Sequence, residues 1–480
     1  MRTSVLHQQL GSLFFDEVQA ARFPSHTVRF RNQVAADTVG LGEWGAEQWV
    51  DHLAKFKPLP GSFERPLALR YHGHQFGHYN PALGDGRGFL YAQLYDHTGR
   101  LLDLGTKGSG VTPWSRGGDG RLTLQGAVRE VLAAERLQAL GVPTSRALSV
   151  VETGEALVRG DEPSPTRSAV LVRLSHSHVR IGTFQRLAYY REAAAIERLV
   201  DHCIRHYLPE VDSGAGAPEM LRAVAVRLAE LTAGWMVAGF VHGVLNTDNL
   251  NITGESFDYG PWRFLPTLDG AFVAAYFDHG GRYAFARQPE AVYWALQHLA
   301  GCLVQVAPQD DLVDALRAFG PAYDAAYIRR MLARMGMRRL GDERDSHGVD
   351  RVVDLLQRQG CDYDLFFQWF RARDRGWDAP PLDFEHEAKL DEVFSAHQRI
   401  ELEPPEAPFE DLQDRHYRPI WSAIAENDDW SLFEARVAAQ RRLGAHLAPC
   451  NRAAMVQAAP NATEAVQGAQ GSFVTEQEKP

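Results

Sequence analysis

Hydrophobic and polar positions change their rhythm along the chain, and the changes divide it into four stretches. Residues 1–65 mix aromatic, apolar and polar positions without a strong period and end near the proline-rich connector "KPLPGSFERP", which predicts an extension packed on the neighbouring stretch. Residues 66–182 are glycine-rich and strand-like. There, "FLYAQLYD" and "LLDLGTKGSG" flank the turn "HTGR" and predict a hairpin. In "LTLQGAVREVLAAERLQALGVP" the residues Leu124, Val128, Val131, Leu132 and Leu137 fall near helical spacing, with Thr123 placed to cap the start and Gly141 and Pro143 to stop it. "RALSVVETGEALVR" and "SAVLVRLS" predict three more short strands. From 183 to 450 long helical runs dominate, such as "MLRAVAVRLAELTAGWMVAGF". Residues 451–480 are rich in Ala and Gln with no apolar face and predict a disordered tail.

Composition narrows the function classes. A chain of 480 residues can bury more than one core, so two lobes or two domains are expected. A net charge of -11 argues against a general nucleic-acid binder, although local basic pockets remain compatible with it. Cys203, Cys302, Cys361 and Cys450 are far apart and form no C-x-x-C pair, so neither a zinc knuckle nor a disulfide framework is signalled. No apolar run approaches the ~18 residues needed to span a bilayer. The first residues lack the layout of a secretory signal, and a cytoplasmic protein without membrane partners is expected.

The chemistry-bearing residues cluster in a few places. In "VHGVLNTDNLNITGESFDYG", His242, Leu245, Asn249 and Asp258 keep the register of a kinase catalytic loop and its following D-F-G, but Val244 stands where the catalytic Asp would be. Asp248, Asn249 and Asp258 offer hard oxygen ligands that suit Mg²⁺ beside phosphates, while Asx-rich stretches of this kind are also ordinary turns. Lys107 follows an apolar strand and Glu130 lies on the predicted helix, the order of a kinase phosphate-binding lysine and its helix partner. Upstream, "LGDGRGF" places Gly84, Gly86 and Gly88 around Arg87, a loop whose amides could cradle an anion or simply form a hairpin. Arg173 and Arg180 carry planar forks suited to phosphate oxygens. His72, His74 and His78, with His176 and His178, suggest zinc at first sight, but no carboxylate or cysteine completes a known spacing, and structural or supporting roles are favoured.

Taken in order, "GHQFG", "NPALGDGRG", "DLGTKGSGVTPWSRGGDGRLTLQGAVREVL", "RLSHSHVRIGTFQ", "HGVLNTDN", "DYGP" and "GRYAFARQP" resemble the selenoprotein O family of protein adenylyltransferases, formerly regarded as pseudokinases. The matching segments run from about 70 to 300. The resemblance implies an α+β, protein-kinase-like two-lobed fold, with an N-terminal extension and a largely helical C-terminal region. It implies ATP bound in a flipped orientation, with AMP transferred to Ser, Thr or Tyr hydroxyls of protein substrates. It makes Gly84, Gly86, Arg87, Lys107, Asp119, Gly120, Arg173, Arg180 and Asp258 nucleotide contacts, with Glu130 orienting Lys107. Asn249 and Asp258 would hold Mg²⁺ or Mn²⁺, and Asp248 would accept the proton. No counterpart of the family's usual C-terminal cysteine or selenocysteine pair is found in this sequence, so the resemblance leaves redox regulation through such a pair open.

Two alternatives share the same residues. One is a phosphotransferase with conventional ATP polarity, against which Val244 counts. The other is a catalytically silent ATP-binding scaffold, against which the complete set Lys107, Glu130, Asn249 and Asp258 counts.

Overall fold

The computed structural model describes residues 1–160, 162–373, 375–378, 382, 387–405 and 413–455. The first stretch forms β1 (Arg2–Ser4), β2 (Phe15–Glu17), β3 (Thr27–Arg31), α1 (Gln33–Thr38) and α2 (Ala46–Leu53). The second holds β4 (Leu67–Leu69), β5 (Gly73–Gln75), β6 (His78–Asn80), β7 (Leu90–Tyr95), β8 (Leu101–Lys107), β9 (Leu122–Thr123), α3 (Leu124–Ala139), β10 (Arg146–Leu157) and β11 (Thr166–Ser175). The remainder is mainly helical: α4 (Ile181–Tyr189), α5 (Ala193–Tyr207), α6 (Ala217–Ala238), the short pair β12 (Phe240–Val241) and β13 (Arg263–Phe264), and α7 (Gln288–Leu303). Then come α8 (Gln309–Leu316), α9 (Phe319–Arg334), α10 (Glu343–Gln359), α11 (Tyr363–Ala372), α12 (Glu387–Phe394), α13 (Asp414–Asn427) and α14 (Ser431–Met455).

The architecture is α+β. Nine antiparallel strands form one sheet in the order β2-β4-β7-β8-β11-β10-β3, with β1 on β7 and β9 on β11. β1, β2 and β3 come from the segment read as an extension, so that segment is woven into the sheet. Its helices also cover one sheet face: Trp49 and Leu53 of α2 pack with Leu102, Leu104, Val170 and Val172. Side chains alternate along a strand, so Leu101, Asp103, Gly105 and Lys107 of β8 share the opposite face, toward α3 and the helices after it. This brings Gly105 and Lys107, at the end of β8, to the cleft between sheet and helices.

Helix α3 forms as its pattern dictates. The Thr123 hydroxyl accepts from the Gly126 amide as N-cap, and Leu124, Val128, Val131, Leu132 and Leu137 are all buried. Gly141 stops the chain at φ 71°, where a left-handed residue is needed.

Two sequence expectations need correction. The stretch expected to hold three short strands forms the two long strands β10 and β11, because Gly154 at φ 75° and register shifts between Glu152 and Ala156 bend β10 without ending it. The tail expected from 451 does not start there, since Asn451–Met455 continue α14, with Ala454 buried against α9. Residues 456–480 lie outside the described residues.

No described helix is long and apolar enough to cross a membrane.

Candidate functional site

A cavity of about 700 Å³ opens between the sheet, at the loop before β7 and the end of β8, and the segment after α6. Its lining gathers Gly84, Gly86, Arg87, Lys107, Asp119, Gly120, Arg173, Arg180, Asp248, Asn249 and Asp258, with Val244 beside them. Of the residues singled out in the sequence for nucleotide or metal, only Glu130 is absent from that lining. It stands directly behind Lys107.

The sheet end is a dense ion-pair network. Lys107 Nζ pairs with Glu130 Oε1, joining β8 to α3. Asp258 lies at the centre: its Oδ1 accepts from Arg173 Nη1 at 2.6 Å and faces Lys107 at 3.4 Å, while Oδ2 faces Arg180 Nη1 at 3.4 Å. Burial alone would raise the Asp258 carboxyl, but the charges of Arg173, Lys107 and Arg180 outweigh it and hold it well below the usual carboxylate range. Asp258 also sits at φ 59°, an uncommon conformation for a residue other than glycine, of the kind found where function fixes the backbone.

Arg180 is anchored further. Its guanidinium lies 4.4 Å from the Tyr71 ring centroid and 5.1 Å from that of Phe257, and Nη2 meets Asp85 Oδ1 at 3.4 Å.

The turn end is built differently. Thr247–Asn249 form a single 3-10 turn after the buried β12, which places Asp248 in the cavity and leaves Asn249 half-buried beside it. Asp248 is 8% exposed, and its Oδ1 has no hydrogen-bond partner among the described residues. Burial pushes its carboxyl up to about 6, against the pull of Arg180.

The glycine-rich loop works by packing. Gly84 and Gly86 do not adopt positive φ. A β-carbon on Gly84 would strike the Trp114 ring, and one on Gly86 would lie 2.8 Å from the Trp114 carbonyl oxygen. The missing side chains let the segment around Trp114 close over the loop. Arg87 is exposed at the rim. Asp119 is exposed as well, and its carboxylate is held by Arg159 at 2.8 Å. Gly120, at φ 68°, lies against the Gly110 backbone, with no room for a side chain.

Several lining residues are not singled out in the sequence, namely Tyr71, Asp85, Trp114 and Arg116, and His178, given there a structural or supporting role, lines the cavity as well. Asp85 stood between the two glycines already noted, and a charged residue there was the available signal. Nothing local marked Tyr71 or Trp114, whose places depend on distant packing. The histidines gather as no metal centre. Among the described residues, no group of three or more His, Cys, Asp or Glu is placed to hold a metal ion. Asn249 and Asp258 nevertheless fit a hard divalent cation, since Mg²⁺ is commonly held by one or two protein oxygens plus substrate phosphates.

A cation-rich cleft bordered by a glycine-rich loop has the charge and size to accept a polyanionic ligand. The sequence model of the family described as protein adenylyltransferase SelO matches residues 3–393, and the chain belongs to that family. The match extends well past the 70–300 stretch where the motifs were recognised. Protein nucleotidyltransferase YdiU of Synechocystis sp. is 46% identical over 458 residues, covering 89% of this chain and 95% of its own. The protein of the same name from Gloeobacter violaceus is 45% identical over 452 residues, with 88% and 92% covered. That from Teredinibacter turnerae is 39% identical over 376 residues, with 76% of each chain covered.

Proposed function

We propose that the chain is a protein adenylyltransferase that binds ATP in a flipped pose and transfers AMP to Ser, Thr or Tyr hydroxyls of proteins. The observation that carries the reading is the state of the carboxylates in the cavity. Asp85, Asp119 and Asp258 are each ion-paired, whereas Asp248 has no ion pair among the described residues. A carboxyl near 6 and free on one oxygen suits a proton acceptor. Val244, in the position of the usual kinase base, lines the same cavity and cannot take a proton.

In this mechanism Asp248 accepts the proton of the acceptor hydroxyl as its oxygen attacks the α-phosphorus. The bond from that phosphorus to the bridging oxygen breaks, and pyrophosphate leaves. Lys107, Arg173 and Arg180 face the triphosphate and offset the charge that develops on it. Glu130 and Asp258 hold those cations in place. Asn249 and Asp258 would hold Mg²⁺ or Mn²⁺, which on binding neutralises phosphate charge. Exposed Arg87, with Gly84, Gly86, Asp119 and Gly120, rims the nucleotide. The Lys107–Glu130 pair between strand and helix, with a helical region beyond the cleft, supports a kinase-like two-lobed fold.

The test compares protein labelling from α-labelled and γ-labelled ATP. Label from the α position alone is expected. Transfer only from the γ position would replace this reading with a phosphotransferase, and transfer from neither would favour a silent scaffold.

A further inference from the structure

The histidine-rich stretch "YHGHQFGH" has no part in the chemistry above, yet β5 lies against the turn that carries Asp248. We propose that this hairpin, through Gly73 and His74 and together with Gln185 of α4, is the positioning device for the Asp248 carboxylate, acting on it directly and through Thr247. The inference rests on Asp248 being the proton acceptor.

A carboxylate with an unpartnered oxygen is not located by hydrogen bonds to that oxygen. Its backbone and its steric surroundings must locate it, and the hairpin supplies both. Thr247, the residue before Asp248, is held in a closed ring of hydrogen bonds. Its Oγ1 accepts from the His74 amide at 2.8 Å and donates to Gln185 Oε1 at 2.6 Å. With that oxygen occupied, the Gln185 amide nitrogen donates to His74 Nδ1 at 2.7 Å and closes the ring. The imidazole is itself fixed, with the His298 ring at 4.0 Å and Trp294 edge-on at 5.3 Å.

One residue further back, Asn246 is clamped as well. Its Oδ1 accepts from the Phe76 amide at 3.0 Å and from the Tyr283 hydroxyl at 2.8 Å. The steric stop is Gly73, where a β-carbon would lie 2.8 Å from Asp248 Oδ1 and 3.3 Å from Asp248 Cβ. Gly73 has no positive φ, so the approach of Asp248, with Leu83 Cδ1 at 3.0 Å beside it, and no backbone strain, is what favours glycine there. The carboxylate thus rests on the bare backbone of the hairpin while the ring of bonds holds its neighbour.

The experiment measures turnover and ATP affinity of Thr247→Val, Thr247→Ser, His74→Leu and Gly73→Ala in the full chain, with Mg-ATP and a mixed set of Ser, Thr and Tyr peptides as acceptor. Misplacing a reacting group by about 1 Å can cost on the order of 10² in rate. Thr247→Val is therefore expected to lower kcat by about 10- to 100-fold while KM for ATP stays within about twofold. Thr247→Ser should recover most of the loss, because the hydroxyl returns. His74→Leu should show a smaller loss, since its backbone amide still reaches Thr247, and Gly73→Ala a loss comparable to Thr247→Val. Circular dichroism gives the folded fraction of each variant, and a fall in kcat no larger than the loss of folded enzyme overturns the proposal.

Wild-type turnover in Thr247→Val, or a loss that Thr247→Ser does not recover, overturns the proposal. If Thr247→Val fails to fold, the His74→Leu and Gly73→Ala pair decides it, with unchanged kcat in both overturning it. Ratios are taken on whichever phosphorus group reaches the peptide, so a failed α-label experiment and a failed positioning experiment remain distinct results.

Discussion

At the sheet end of the cavity Lys107, Arg173 and Arg180 are matched by Glu130, Asp258 and Asp85, and each carboxylate there has a cation within 3.4 Å. At the turn end, Asp248 is as buried as Asp85 and more so than Asp258, but has an oxygen with no partner among the described residues. The shifts of Asp258 and Asp248 are therefore opposite: the Asp258 carboxyl, among three cations, is held well below its usual range, and that of Asp248 rises to about 6, while Asp85, with Arg180 alone at 3.4 Å, is also raised by its burial. A carboxylate locked among cations is a fixed charge that can hold phosphate-binding groups or a metal ion in place. One left unpaired can take and release a proton near neutral pH. On the proposed reading, pairing one set of charges and leaving one carboxylate free would separate binding from proton transfer.

The comparison breaks most completely at its centre. Asp258→Ala leaves Arg173, Lys107 and Arg180 without their shared anion and removes one oxygen of the proposed cation site. Activity is expected to fall to background, and nucleotide binding should lose its dependence on Mg²⁺ or Mn²⁺. Circular dichroism and nucleotide titration with and without the cation check this, and retained turnover with unchanged metal dependence would remove Asp258 from the site.

The next largest effect falls on the unpaired carboxylate. Asp248→Ala should reduce turnover by ~10² to 10⁴, the usual worth of general-base help, while ATP still binds through the paired end. Adding Val244→Asp to that variant should not restore AMP transfer, because a carboxylate at 244 serves the opposite ATP polarity. Recovery, or a switch to γ-phosphate transfer, would show conventional polarity.

Losing one cation tests the paired end more gently. Arg173→Ala or Arg180→Ala should weaken ATP binding more than AMP binding, with each charge-assisted contact worth roughly 1.5 to 3 kcal/mol. Isothermal titration with the two nucleotides measures the difference. Equal losses would place these guanidiniums away from the β- and γ-phosphates.

The paired end was the more legible of the two in sequence. Lys107, Glu130 and Asp258 announce themselves because residue type and element order are both local properties, and α3 follows from apolar spacing alone. Tyr71, Trp114 and the hairpin's grip on Thr247 were illegible, since each depends on segments far apart in the chain meeting in space. His74 and Thr247 are separated by 173 positions and joined by one backbone hydrogen bond. The strands of the first 65 residues were hidden for a related reason. β1 and β2 are three residues long and gain their stability from pairing with β7 and β4, which a window of sequence cannot display. The glycines at 84 and 86 were recognised correctly as a loop, but their cause, the approach of the Trp114 segment, lies outside it.

The smallest expected effect sharpens the comparison through stability. A carboxyl raised on folding costs nothing where both states are protonated, below about pH 4, and the cost grows as pH climbs toward 6, because the unfolded chain ionises first. Above about pH 6 the folded protein carries the full penalty of a buried, unpaired charge. Asp248→Asn keeps the shape and removes that charge, so it should stabilise the nucleotide-free protein at pH 8 by on the order of 2 kcal/mol and leave it nearly unchanged at pH 4. The same variant should lose the acid limb of turnover near 6, along with most of the activity itself. Asp258→Asn should behave in the opposite sense. A carboxyl held low on folding contributes stability that is present above its unfolded pKa and lost as pH falls through the folded value, so its amide variant should be less stable at pH 8. Urea unfolding of both variants at pH 4 and pH 8 reads the two signs directly. A shared sign at pH 8 would mean that the two carboxylates stand in the same electrostatic state and that the cavity does not divide its labour between them.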